Sequence, residues 1–209
     1  MKVSASFLSS KNPPLDISKL NNTDVDYIHV DVIDGEFAPK KTMPFSEMRQ
    51  IYKYTNKRLD IHLMCNYPSK FIKNYSELSC EYISFHIESK EDITKNIELI
   101  HDYGIKAGLV LSPNTKVSTL IPYLPFIDLI LVMSVEPGIG GQMFIDGTDK
   151  KIDEIRNLIN EYNLNIVINV DGGINDVSVY NCKKADIVTS GSFILNSDNF
   201  QDQINKLRI

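Results

Sequence analysis

The chain has little cysteine and no paired thiol motif. Its three cysteines, Cys65, Cys80 and Cys182, are odd in number and contain no CxxC. That excludes a disulfide framework and a thiolate zinc knuckle. The first residues lack a signal-peptide pattern, so reduced thiols and a cytoplasmic location are expected. No apolar run approaches the roughly 20 residues of a membrane span. Basic residues are scattered, and 22 Lys and Arg against 27 Asp and Glu leave a formal charge of -5. Neither nucleic acid nor an anionic membrane is an expected partner. A small anion is not excluded, because helix N-termini bind phosphate without lysine. There is no linker, low-complexity tract or second composition, so residues 1–209 read as one domain.

Short apolar segments alternate with helical ones along the whole chain. Strands are expected at Lys2–Leu8, Tyr27–Val32, Arg58–Met64, Tyr82–His86, Lys106–Leu111, Leu129–Ser134, Ile166–Val170 and Ile187–Ser190. Helices are expected at Phe45–Tyr54, Pro68–Tyr75, Asp92–Tyr103 and Lys150–Tyr162. A first helix of one or two turns is expected around Ile17–Asn21, and a short one at Ser192–Leu195. Eight strands with intervening helices imply a single (β/α)₈ barrel, with an open doubly wound sheet as the alternative.

Four segments place ionisable residues where strands end: His29-Val30-Asp31, Asp60-Ile61-His62, Ser84-Phe85-His86 and Asn169-Val170-Asp171. Residues two apart on a strand face the same side. One such pair is as easily a buried ion pair as a site. His62 and Asp171 at equivalent strand ends shift the balance toward a metal centre of His29, Asp31, His62 and Asp171. Such a set suits one Zn²⁺, Mn²⁺, Fe²⁺ or Co²⁺ ion. His86 reads as a supporting histidine, and Asp34, before Gly35, as a turn residue.

Glycines follow the last three strands: Gly138, Gly140 and Gly141, then Gly172 and Gly173, then Gly191 before Ser192. Loops after strands seven and eight cradle phosphate in many barrels. Met64 and Met133 also lie at strand ends, where the ordinary reading is core packing and the functional one a water-excluding wall.

The longer motifs resemble one family. His29–Lys40 matches HxDVMDGxFVPN, Asp60–Cys65 matches DxHLMV, and Lys106–Thr115 matches KAGxxLNPxT. Met133–Phe144 matches MSVxPGFGGQxF, Val170–Ile174 matches VDGGI, and Ala5–Ser9 answers to PSILS. The chain resembles ribulose-phosphate 3-epimerases along nearly its whole length. The resemblance implies a divalent metal on His29, Asp31, His62 and Asp171, with Asp31 and Asp171 as the acid/base pair. It implies that Ser6, His62, Met64, Met133 and Asp171 contact a sugar phosphate. The phosphate would sit on Gly138–Gly141, Gly172-Gly173 and Gly191-Ser192. A dimer or hexamer is also implied. The chain departs from the pattern at Ala5, Ile33, Lys40 and Ile139.

The implied reaction interconverts D-ribulose 5-phosphate and D-xylulose 5-phosphate through an enediolate. Alternatives are a 3-epimerase of a ketohexose 6-phosphate such as allulose 6-phosphate, and a non-catalytic sugar-phosphate-binding barrel. A decarboxylase of the DxKxxD type ranks low, because Asp31-Val-Ile-Asp34 holds no lysine.

Overall fold

The computed structural model describes residues 1–209. Eight parallel strands close into a barrel in chain order. They are β1 Lys2–Ser6, β2 Tyr27–Ile33, β3 Leu59–Met64, β4 Cys80–His86, β5 Lys106–Leu111, β6 Leu129–Met133, β7 Val167–Asp171 and β8 Ile187–Ser190. The barrel, rather than the open sheet, follows from the β1–β8 pairing of Lys2–Ala5 with Ile187–Ser190.

The two parities of each strand have different fates. Residues such as Ile28, Val30, Ile61, Leu63, Ile83, Phe85, Ile130, Val132, Ile168 and Val170 face outward into one large apolar cluster shared with the helices. The inward parity is divided. Tyr27, Tyr82, Val110, Leu129, Leu131, Met133 and Ile187 form a separate apolar cluster inside the barrel. Ser4, His29, Asp60, His62, Ser84, His86, Asn169 and Thr189 are polar and equally buried. Buried polar groups persist only when paired. All but Ser84, whose Oγ has no partner, are hydrogen-bonded to one another or to the residues beside them, and those bonds position the site.

Helices cover the outer wall as α1 Pro13–Asn21, α2 Phe45–Ile51, α3 Ser69–Tyr75, α4 Ile93–Asp102, α5 Thr148–Glu161, α6 Ser192–Leu195 and α7 Phe200–Leu207. The first helix is longer than the expected turns around Ile17–Asn21. It opens on Pro13-Pro14 because proline is tolerated in a first turn, and the Asn12 side chain caps Leu15 N. α4 begins after Asp92, which accepts from Lys95 N at 3.1 Å. It ends before Gly104 at φ +70, as a left-handed C′ residue should.

The segment after β5 is 3₁₀ over Val117–Phe126, since Pro122 and Pro125 break i→i−4 bonding. A second 3₁₀ segment, Ser178–Cys182, follows β7. Neither is visible as a helical period in the sequence. The expected Phe45–Tyr54 helix likewise finishes as a 3₁₀ turn at Tyr52–Tyr54. No helix is long and apolar enough to cross a membrane.

Candidate active site

Strand pairing brings the ionisable ends together. Asp31 lies opposite His62, and His29 opposite Asp60, in the β2–β3 register. Met133 lies opposite Asp171 between β6 and β7. His29, Asp31, His62 and Asp171 offer ligand atoms that all lie within 4.8 Å of one another, a group that could hold a metal ion.

The separations can be compared with those around an ion. A tetrahedral ion with ligands at about 2.1 Å holds its donors about 3.4 Å apart. His29 Nε2 lies 3.4 Å from Asp31 Oδ1 and 3.6 Å from Asp171 Oδ2. His62 Nδ1 lies 3.2 Å from the same Asp31 oxygen and 3.5 Å from the same Asp171 oxygen. His29 Nε2 is buried without a hydrogen-bond partner, as a ligand atom would be. The donor set fits a divalent cation.

The electrostatics agree. Burial opposes charge on His29, yet Asp31 and Asp60 hold its pKa well above the ordinary value. Burial opposes charge on His62 too, and Asp171 and Asp31 again outweigh it. Burial would raise the pKa of Asp31, but His29 and His62 hold it below the usual carboxylate range. The cluster is built to hold positive charge. A divalent ion meets the same demand with both imidazoles neutral.

Each imidazole is braced from behind. His29 Nδ1 meets Asp60 Oδ2 at 2.8 Å. The same oxygen accepts from Ser4 Oγ at 2.9 Å and Asn169 Nδ2 at 3.1 Å. His62 Nε2 lies 3.0 Å from His86 Nε2, whose Nδ1 lies 3.0 Å from Glu88 Oε2. Burial lowers the pKa of His86 to about 4. Glu88 is held at about 2: burial opposes this, and hydrogen bonds from His86 and Thr115 outweigh it. Ser6 Oγ donates to Asp31 Oδ2 at 2.8 Å.

Asp60, Asn169 and Glu88 have no assigned role in the sequence reading. Their partners lie on other strands and loops, in part across the barrel, as in the Asn169–Asp60 bond between β7 and β3, and only the closed structure shows them. Asp34 is the expected turn residue, accepting at 2.8 Å from the backbone N–H groups of Glu36 and Phe37. It also accepts from Asn66 N at 2.8 Å, which ties the loop after β2 to the loop after β3.

Above the centre opens a small cleft. Ser6, Asp31, Met64, Met133 and Asp171 line it, together with all of Gly138, Gly140, Gly141, Gly172, Gly173, Gly191 and Ser192. His62 lies beneath, fully buried. Met64 and Met133 are also nearly inaccessible, so they are packed residues that present an apolar edge to the cleft. No lysine or arginine lines this cleft. Its uncharged donors include main-chain N–H groups, among them the start of α6, where Gly191 carries no side-chain cap, and the hydroxyls of Ser9 and Ser192.

Gly172 and Gly173 are required by shape. They have φ +118 and +64, and a Cβ on either would lie 2.4 Å from Val135 Cγ2 or Phe144 N respectively. Gln142 Nε2 ties the facing loop by donating to Glu136 O at 2.7 Å and Ile139 O at 2.8 Å.

Comparison with known proteins gives a consistent result. A family model described as the ribulose-phosphate 3 epimerase family matches residues 2–195. A ribulose-phosphate 3-epimerase of Helicobacter pylori is 36% identical over 201 residues, covering 94% of this chain and 92% of that protein. One from Buchnera aphidicola is 37% identical over 213 residues, covering 99% and 93%. Among solved structures, 3-hexulose-6-phosphate synthase from Salmonella typhimurium matches at TM-score 0.65 and 18% identity, covering 99% of this chain and 96% of that one. A mutant tryptophan synthase α-subunit from Pyrococcus furiosus matches at TM-score 0.72 and 12% identity, covering 98% and 96%. These two likenesses speak to the fold alone. The family model and the curated relatives together show that the chain belongs to the ribulose-phosphate 3-epimerase family.

Proposed function

We propose that the chain interconverts D-ribulose 5-phosphate and D-xylulose 5-phosphate, with residues 1–209 acting as one barrel domain. The observation that carries this reading is the pairing of Asp31 and Asp171. Both join one cluster of ligand atoms, and both line the cleft whose far wall is glycine backbone.

The C3 proton of a 2-keto sugar phosphate is acidic because the electrons of the broken C–H bond delocalise into the neighbouring carbonyl. Inversion needs a base on one face and an acid on the other. One carboxylate takes the proton from C3, and the other delivers its own proton to the opposite face. The two acids end the turnover with their protonation states exchanged, and proton exchange with solvent, or the reverse reaction, resets them. His29, Asp31, His62 and Asp171 would hold a Zn²⁺, Fe²⁺, Mn²⁺ or Co²⁺ ion, which when bound supplies Lewis-acid charge to the enediolate oxygens.

Ser6 keeps Asp31 oriented through the 2.8 Å bond to Oδ2. Met64 and Met133 keep water from the reacting carbon, so the charges act in a low dielectric. Peptide N–H groups of the glycine loops and α6 receive the phosphate.

The test is C3 hydrogen exchange in D₂O followed by NMR on metal-loaded protein. Exchange and conversion of ribulose 5-phosphate, at higher efficiency than allulose 6-phosphate, is the expected result. A preference for the hexulose would transfer the chemistry to the longer sugar. Exchange with neither would refute the assignment. Chelation should abolish turnover, and restoring the ion should recover it.

A further inference from the structure

We propose that His86 and Glu88 are positioning residues that set which nitrogen of His62 faces the metal centre. The inference rests on the metal-centre reading above and concerns a relay that this reading does not use.

The argument is one of donors and acceptors. A carboxylate oxygen accepts and never donates, and a neutral imidazole carries one N–H. Glu88 Oε2 lies 3.0 Å from His86 Nδ1, so that nitrogen carries the proton. His86 Nε2 is then a lone pair. It lies 3.0 Å from His62 Nε2, which must donate to it. The proton of His62 is thereby fixed on Nε2. Its Nδ1 is left as a bare donor, 3.2 Å from Asp31 and 3.5 Å from Asp171.

The other imidazole reaches the same end by a shorter route. His29 puts its Nδ1 against Asp60 and leaves Nε2 toward the centre. The two histidines thus present opposite nitrogens, and each is backed by a carboxylate: Asp60 directly, Glu88 through one intervening ring. Both relay rings are fully buried and stacked, with centroids 5.1 Å apart and planes at 28°.

Glu88 itself is held by the loop after β5. It accepts from Ser112 N at 3.1 Å and from the Thr115 hydroxyl. Lys151 Nζ, on α5, pins the same loop through Ser112 O at 2.7 Å and Pro113 O at 3.0 Å. This gives the Ser112–Thr115 stretch a role: it aims a carboxylate at the back of the relay.

Glu88→Gln is the first variant to test, because it keeps shape while its amide can donate as well as accept. The orientation of the relay is then no longer enforced. Co²⁺ or Zn²⁺ affinity should weaken on the order of 10- to 100-fold, while the melting temperature of the metal-free protein stays near wild type. His86→Leu should weaken affinity similarly. His86→Gln, whose amide oxygen can still accept from His62 Nε2, should recover most of it. In Zn²⁺-loaded protein labelled with ¹⁵N, His86 should carry its proton on Nδ1 and His62 on Nε2.

A His86 proton on Nε2 would overturn the proposal. So would unchanged metal affinity in Glu88→Gln, or a Glu88→Gln that only lowers thermal stability. Wild-type protein that takes up no metal would overturn the centre and the relay together. Tight wild-type binding with an unaltered Glu88→Gln overturns the relay alone.

Discussion

Asp60 offers the sharpest test of how the centre is held. It is wholly buried, and its Oδ2 accepts from His29 Nδ1, Ser4 Oγ and Asn169 Nδ2 at 2.8, 2.9 and 3.1 Å. Asp60→Asn can keep all three contacts by placing its amide oxygen there. The amide NH₂ would then occupy the position of Oδ1, which has no partner. The change converts three charge-assisted bonds into neutral ones. Bonds to a charged group contribute about 1.5–3 kcal/mol and neutral ones about 1. Each bond loses about 0.5–2 kcal/mol, so the expected loss over three is about 1.5–6 kcal/mol. At about 2–4 °C per kcal/mol for a domain of this length, melting should fall by roughly 3–24 °C.

The substitution should also loosen His29 and weaken metal affinity by roughly 10- to 100-fold. Differential scanning calorimetry of the metal-free protein and metal titration read the two effects separately. Ser4→Ala, which removes one donor, should destabilise by less, and the double variant should cost less than the sum. An Asp60→Asn protein that melts within about a degree of wild type and binds metal equally well would refute the account.

The remaining predictions address the chemistry and the shape. Asp31→Asn and Asp171→Asn should each lower C3 exchange by at least the roughly 10²–10⁴-fold that a general acid or base supplies, with circular dichroism unchanged; near-normal turnover in either would sink the two-carboxylate scheme. Gly173→Ala should displace the backbone at Phe144, 2.4 Å from the added Cβ, and raise KM sharply. Gly141→Ala meets nothing within 4 Å at φ +76, so it should add only about 1–2 kcal/mol of left-handed strain; equal effects of the two would contradict the steric reading. Burial raises the thiols of Cys80 and Cys182 from 9.0 to about 12, and that of Cys65 further still. A folded-state pKa above the unfolded value stabilises fully below pH 9 and is lost as pH climbs through the raised value. Stability should therefore fall progressively above pH 9, and a disulfide thiol reagent should stay inert toward native protein at pH 8. Rapid labelling there would place the cysteines outside the core.

What the sequence revealed depended on whether a signal was local. An apolar, β-branched run that ends in His or Asp is local, so β2, β3 and β7 and their polar ends were legible. The i, i+2 parity that puts His29 with Asp31 is local too. Register is not. Asp60 stood two residues before His62 with no role until β2 and β3 paired it opposite His29. Glu88 reached significance only through the loop after β5. Ser6, a small residue in a strand of small residues, carries no pattern of its own and entered through the family resemblance. The 3₁₀ stretch Val117–Phe126 hid because its prolines mark loops in any local reading.

The wall of the cleft has a consequence of a different kind. It recruits neither lysine nor arginine, so an anion seated there would meet, beside a few hydroxyls, peptide groups that no side-chain replacement can delete. Surface charge can drift over evolutionary time, and ambient salt can change, with little effect on that grip. Peptide donors also do not titrate, so for a phosphate ester seated there they would leave the ligand's own second ionisation, near pH 6, to change the contact.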